Sequence, residues 1–166
     1  MRRLTLAAVL ALTGPAGALA ADGAPSPVDL AKAACKSEKA QMGKDTFTLT
    51  YPYSSASAAT KACVAKRDAR AATDLKNAAK TCKAERAADL AAFTKKYGTN
   101  KNGKNAYGKC VSRKARHATE QETEARVNAA KTCKKLKAEQ KVTFEADYGT
   151  KKNAFGKCVS KTAKAS

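Results

Sequence analysis

Ala79-Lys80-Thr81-Cys82-Lys83, then Phe93-Thr94-Lys95-Lys96-Tyr97-Gly98-Thr99, then Asn105-Ala106-Tyr107-Gly108-Lys109-Cys110-Val111-Ser112: this stretch decides how the chain is read, because it occurs again downstream. The second occurrence runs Ala130-Lys131-Thr132-Cys133-Lys134, Phe144-Glu145-Ala146-Asp147-Tyr148-Gly149-Thr150 and Asn153-Ala154-Phe155-Gly156-Lys157-Cys158-Val159-Ser160. A worn first copy keeps Ala34-Cys35-Lys36, Phe47-Thr48-Leu49-Thr50-Tyr51 and Lys61-Ala62-Cys63-Val64. Self-similarity at a fixed period signals a repeat architecture. Each copy carries two cysteines with Phe-x3-Tyr between them, so the chain reads as three equivalent units.

The period inside a unit is helical. At ~100° per residue, Phe93 falls about 20° from Cys82 and Tyr97 about 60° from it. Leu75 and Leu90 join the same face, and the third copy repeats it with Cys133, Leu136, Phe144 and Tyr148. The face is narrow and is otherwise filled by Ala. Gly98 and Gly149 follow the last periodic residue, where a helix end favours a residue tolerant of left-handed backbone. Asn105 and Asn153 suit the caps of the next helices, and Ser26-Pro27 with Asp29 is a start signal. The fold class expected is all-α: an elongated hairpin or bundle of three Cys-paired repeats. Two long helices, from about Thr60 to Tyr97 and from about Gly108 to Tyr148, are flanked by two short ones. The joins are expected at residues 43–57, 98–105 and 149–153.

Repetition favours pairing within each unit, Cys35 with Cys63, Cys82 with Cys110 and Cys133 with Cys158, without excluding the other pairings that six cysteines allow. Simple hairpin geometry resists it. Cys82 lies much farther from the turn than Cys110, a difference in height of roughly 15 Å at 1.5 Å per residue. A bridge needs Cα atoms within about 7 Å. Either the Asn-Ala-aromatic-Gly segment doubles back along the first helix, bringing Tyr107 or Phe155 onto the Phe-x3-Tyr face, or pairing crosses units, as Cys63 with Cys133 would. Doubling back is preferred. A metal site is the competing reading, but zinc-type ligands come in close pairs, and no such pair is present.

The N-terminus has a basic start at Arg2-Arg3, an apolar run from Leu4 to Leu12, a break at Gly14-Pro15 and Ala18-Leu19-Ala20 as a cleavage site. These are the parts of a secretory signal peptide, and the run is too short to span a bilayer. Residues 1–20 are read as signal, 21–27 as a linker, 28–74 as a degenerate first repeat, 75–125 as the second and 126–166 as the third. The chain is expected to be secreted or held at the cell surface, with no transmembrane segment after cleavage. Export also fits disulfides.

The whole chain carries 33 basic and 14 acidic residues, a formal +19. Loss of Arg2 and Arg3 with the signal leaves 31 against 14, or +17. Large apolar residues are scarce: Trp and Ile are absent and Ala supplies much of the 43% hydrophobic content. So thin a core leans towards disorder, but Ala and Lys favour helices and bridges can staple a small core. Net charge of this size bears on partners and solubility and not on fold. Lys95, Lys96, Lys101, Lys104 and Lys109 in the second copy, and Lys151, Lys152 and Lys157 in the third, cluster around equivalent turns. They are candidates for binding an anionic polymer or an acidic surface; lysines serving solubility alone are the plain alternative.

Nothing in the sequence supports catalysis. His117 is the only histidine, and it sits among Arg113, Arg116 and Glu120 as a solvated residue would. No phosphate loop, dinucleotide fingerprint, nucleophile elbow or zinc-protease motif occurs. Carboxylates such as Glu120, Glu122 and Glu124 lie among basic residues at spacings that make solvated helix pairs. The aromatics could stack on bases, but their recurrence on one face favours a core. No cofactor, metal or small-molecule substrate is expected. The leading expectation is a non-enzymatic, basic, exported helical module. A disulfide-stapled spacer is the second reading, and an enzyme or thiol-redox protein, which needs a reactive thiol, the third. A histone-like role conflicts with the signal segment.

The combination Tyr-Gly-Thr-Asn-Lys-Asn, Asn-Ala-Tyr-Gly-Lys-Cys-Val-Ser and Ala-Lys-Thr-Cys-Lys resembles Cys-containing repeats of uncharacterised exported proteins from high-GC actinobacteria. The resemblance covers copies two and three well and copy one only at its cysteines and aromatics. It implies export and repetition and carries no activity or site residues with it.

Overall fold

A computed structural model describes residues 23–165, and within them the chain is all-helical. The signal segment read at residues 1–20 lies outside the described residues. Seven helices follow in order: α1 Pro27–Met42, α2 Lys44–Thr50, α3 Ala56–Ala88, α4 Leu90–Tyr97, α5 Ala106–Glu139, α6 Lys141–Tyr148 and α7 Ala154–Ala165. The long helices α3 and α5 pack on each other, α1 packs on both, and α7 packs on α5. The short helices α2, α4 and α6 close the ends. The start of α1 follows its sequence signal: Ser26 caps it by accepting from the Asp29 amide at 3.1 Å, and Pro27 occupies the first turn.

All three bridges form within units, with Cα atoms 6.0 Å apart in each. The height conflict is resolved by a device that differs from the one expected. Each helix that carries the first cysteine breaks at one residue, Gly43, Asp89 or Gln140, always four positions before the Phe of Phe-x3-Tyr. The break residues leave helical geometry, with φ/ψ of 77/158, −155/100 and −134/56. The following Phe amide still bonds back to the break residue's carbonyl at 2.9–3.0 Å. The expected long helices are therefore each divided, and the Phe-x3-Tyr segment becomes a separate short helix folded over the end. Cys82 is then about 10 Å of helix from its turn and Cys110 about 7 Å from the start of α5, at 1.5 Å per residue, so the two meet. The Asn-Ala-aromatic-Gly segment does not double back. It enters the first turn of α5 or α7, and from there Phe155 packs with Phe144, and Tyr107 packs against the core that holds Phe93 and Tyr97.

Two further expectations change for the same reason. Leu90, placed on the Cys82 face by an unbroken period, begins α4 after the break and is 59% exposed. The join expected at 43–57 contains α2, so the first unit has the same short helix as the other two. Of the two glycines assigned to left-handed turns, Gly149 has φ 86 as expected. Gly98 has φ −69 and serves through its size instead: a Cβ there would lie 2.6 Å from the Thr94 carbonyl oxygen. Asn105 stands at the start of α5 without capping it, and its amide instead ties the turn by accepting from the Thr99 amide and donating to Thr99 Oγ1.

Asp89 is the one break residue with a side-chain cap, its Oδ1 accepting from the Ala92 amide at 2.9 Å, whereas Gln140 makes none. Caps of this type contribute about 1 kcal/mol. Asp89→Ala is expected to lower the urea unfolding free energy by about that amount, and Gln140→Asp to raise it by roughly half as much or more.

The core is built as three local clusters. A disulfide and its Phe lie at the centre of each, with Phe47, Phe93 and Phe144 all at 3% exposure or below. Each Phe meets its Tyr in a tilted pair with ring centroids 4.9–5.1 Å apart, a geometry that adds to simple area burial. Around the bridges and rings the clusters are filled largely by Ala, as in Ala31, Ala59, Ala71, Ala78, Ala115 and Ala130. Small side chains let the long helices approach closely but bury little area each, which is why so thin a core relies on the bridges.

Candidate anion-binding surface and the buried charge cluster

The turn lysines singled out above are all exposed. Lys95 and Lys96 end α4, Lys101 and Lys104 lie in the following turn and Lys109 in the first turn of α5. Lys151 and Lys152 lie in the last turn, and Lys157 belongs to α7. They form two separate groups, one per turn. Lys96 is not a free cation: its ammonium is 3.8 Å from Glu85 and stands over the Tyr97 ring at 5.0 Å. The Tyr97 hydroxyl and the Glu85 carboxylate together raise its pKa. Lys151 and Lys152 share a cleft with Asp45 and Glu145. His117 is exposed on α5.

Reading the carboxylates as solvated helix pairs misses the most deeply buried charges. Glu38, on α1, is fully buried and sits between two arginines. Its Oε2 accepts from Arg67 Nη1 of α3 at 2.7 Å, and its Oε1 from Arg126 Nε of α5 at 3.0 Å. The Tyr51 hydroxyl donates to Oε1 at 3.0 Å and accepts from Arg126 Nη2 at 2.9 Å. Arg67 also donates to the Thr119 carbonyl at 3.3 Å. Burial, then the Glu38 carboxylate, push the Tyr51 phenol well above its ordinary range, so it stays protonated and can donate. Burial works to lower the Arg126 pKa, but Glu38 and Tyr51 outweigh it and the guanidinium is held charged. The cluster joins α1, α3, α5 and the end of α2 at one point.

The same plan recurs, weakened, along the repeat. Glu85 stands three residues after Cys82, as Glu38 does after Cys35; it accepts from the Tyr97 hydroxyl at 2.9 Å and pairs with Lys114 at 2.7 Å. Lys114 stands four residues after Cys110, as Arg67 does after Cys63. The Lys114 and Tyr97 hydrogen bonds draw the Glu85 pKa down. In the third unit Leu136 and Thr162 occupy the equivalent positions. The rule Cys-x2-Glu with Cys-x3-Arg or Lys is visible in the sequence once the copies are aligned on their cysteines.

Other carboxylates are also engaged. Glu122 lies 3.6 Å from Arg67 and 3.7 Å from Arg70, and Asp74 lies 3.6 Å from Arg70. Burial raises the Asp74 pKa, with Arg70 opposing it. No family, characterised protein or solved structure matches this chain. The site is therefore read from its own chemistry. None of the six cysteines is free, and no group of three or more His, Cys, Asp or Glu side chains that could hold a metal ion occurs among the described residues. No described helix is long and apolar enough to cross a membrane.

Proposed function

We propose that this chain is an exported, non-enzymatic helical module that binds an anionic polymer outside the cell or at its surface. The observation that supports this is the large excess of cations that the fold leaves at its surface. Glu38 is fully buried, and Glu85, Glu122 and Asp74 are engaged with cations inside or between helices. The lysines of the turns remain exposed. Glu38 and Asp74 are buried together with Arg67 and Arg126, so the buried charges cancel and the excess of positive charge lies at the surface, where it concentrates polyanions. The apolar leader at residues 4–12 and the three bridges support export.

The test is retention on a phosphorylated or sulfated polyanion matrix as a function of salt. Counterion release makes log affinity fall linearly with log salt. A steep linear dependence is the expected result, and elution with neutral proteins at low salt would leave the spacer reading in its place. The three bridges and the buried Glu38 cluster suit that second role, since both add durability and neither needs a ligand.

A further inference from the structure

We propose that the groove between α2, α3 and α7 is a seat for closely spaced phosphate groups of a linear polyanion, held by Lys66, Lys157, Lys161 and Lys164. The proposal rests on the polyanion reading above and names where and what the protein would bind.

The groove encloses about 620 Å³, and Thr50 and Pro52 at the end of α2 line its wall together with the four lysines. Among the three clefts described, it alone has no carboxylate in its lining: Asp29 and Glu120 line the second, Asp45 and Glu145 the third. None of its four lysines makes an ion pair among the described residues. Lys157, Lys161 and Lys164 follow i, i+4, i+7 and so share one face of α7. Like charges in this relation repel, and the row contains no acidic neighbour to offset them.

Lys66 faces the row from α3, its ammonium 3.2 Å from Ser160 Oγ. Burial, then Arg126 and Lys164, lower its pKa against the opposing pull of Glu38. A bound anion would relieve this repulsion on both walls. Lys161 is steadied over the Tyr148 ring at 5.6 Å, and Gly156 brings α7 so close to α2 that a Cβ there would meet the Thr50 carbonyl oxygen. The row of lysines is therefore held against a fixed wall.

Ammonium groups converge here with hydroxyl and amide groups from Ser160 and Asn153. A phosphate, with several acceptor oxygens, can use donors from both walls at once. No aromatic ring lines the groove, so it offers nothing for a base to stack on. That favours a chain recognised by its phosphates alone.

The experiment compares three forms of the oxidised protein: the unaltered chain, a groove variant carrying Lys66→Gln, Lys157→Gln, Lys161→Gln and Lys164→Gln, and a turn variant carrying Lys95→Gln, Lys101→Gln, Lys104→Gln and Lys109→Gln. The two variants lose the same charge. Binding is measured by calorimetry across a salt series with linear inorganic polyphosphate, poly(glycerol phosphate) and poly-glutamate. The groove variant is expected to lose on the order of a hundredfold in polyphosphate affinity at low salt and about three in the log–log salt slope, with the turn variant moving the slope by about one or less. If the groove variant unfolds, Lys157→Glu with Lys164→Glu, both on the open face of α7, replaces it at the same loss of net charge and should again lose far more polyphosphate affinity than the turn variant.

Equal losses in the two variants would overturn the groove while leaving general polyanion binding in place. Binding of poly-glutamate with no preference for either phosphate chain would overturn the phosphate assignment alone. Failure of the unaltered protein to bind any of the three would overturn both readings. Preference between polyphosphate and poly(glycerol phosphate) identifies which phosphate source fits.

Discussion

Glu38→Gln is expected to be the most damaging single substitution in the chain that leaves the disulfides intact. It removes the buried carboxylate that lies between Arg67 and Arg126, which are 4% and 7% exposed, leaving Arg67 only its longer contact with Glu122 at 3.6 Å and Arg126 no carboxylate partner among the described residues. Breaking a buried pair from one side costs about 3–5 kcal/mol, because the remaining charge is stranded. For a chain of this size that corresponds to a fall in thermal midpoint on the order of 10 °C. Urea and thermal unfolding of the oxidised protein would measure it. Glu85→Gln provides the contrast: its carboxylate is more open to water and a solvated pair contributes little, so its midpoint should move far less. A combined replacement of Glu38, Arg67 and Arg126 by apolar residues of similar volume is expected to recover most or all of the loss, since buried ion networks seldom outperform a well-packed apolar core. If Glu38→Gln unfolds at the same midpoint as the unaltered chain, the cluster does not hold the helices together.

Loss of the central bridge is the second large effect. The Cys82–Cys110 link closes 28 residues of sequence, for which loop-closure entropy gives about 3.5 kcal/mol. Cys82→Ala with Cys110→Ala is expected to lose roughly that much, with a small addition from the space left beside Phe93 and Tyr97. Reduction of all three bridges should unfold the chain at ambient temperature, because the Ala-filled interior offers little else. Circular dichroism with and without reductant checks both statements. Retention of cooperative unfolding after full reduction would show that the core is stronger than its composition implies.

Much of the architecture could be read in the residues because it repeats. The matched cysteines and the Phe-x3-Tyr spacing gave the all-helical class and the favoured bridges, both of which the fold contains. The breaks at Gly43, Asp89 and Gln140 were harder to see, since three different residues perform them and neither Asp nor Gln interrupts a helical period by itself. The height mismatch pointed to a missing fold-back but not to its place. Asp89, four positions before Phe93 and well suited to an N-cap, was the available clue. The Glu38 cluster escaped for another reason. Its members are 29 and 88 positions apart from their partners, and local charge spacing reports only on residues of the same helix. Of the groove lysines only Lys157 stood out, as part of a turn cluster; Lys161 and Lys164 are its neighbours in sequence, but the wall they face comes from α2 and α3.

Every bridge joins a cysteine to the next one along the chain. When such a chain emerges N-terminus first into an oxidising space, each new thiol finds its proper mate already waiting and the earlier ones closed. Native connectivity can then arise in order of arrival, one unit at a time, with no need for wrong bonds to be reshuffled. The same order of closure would accommodate a fourth copy appended at the end without disturbing the three before it.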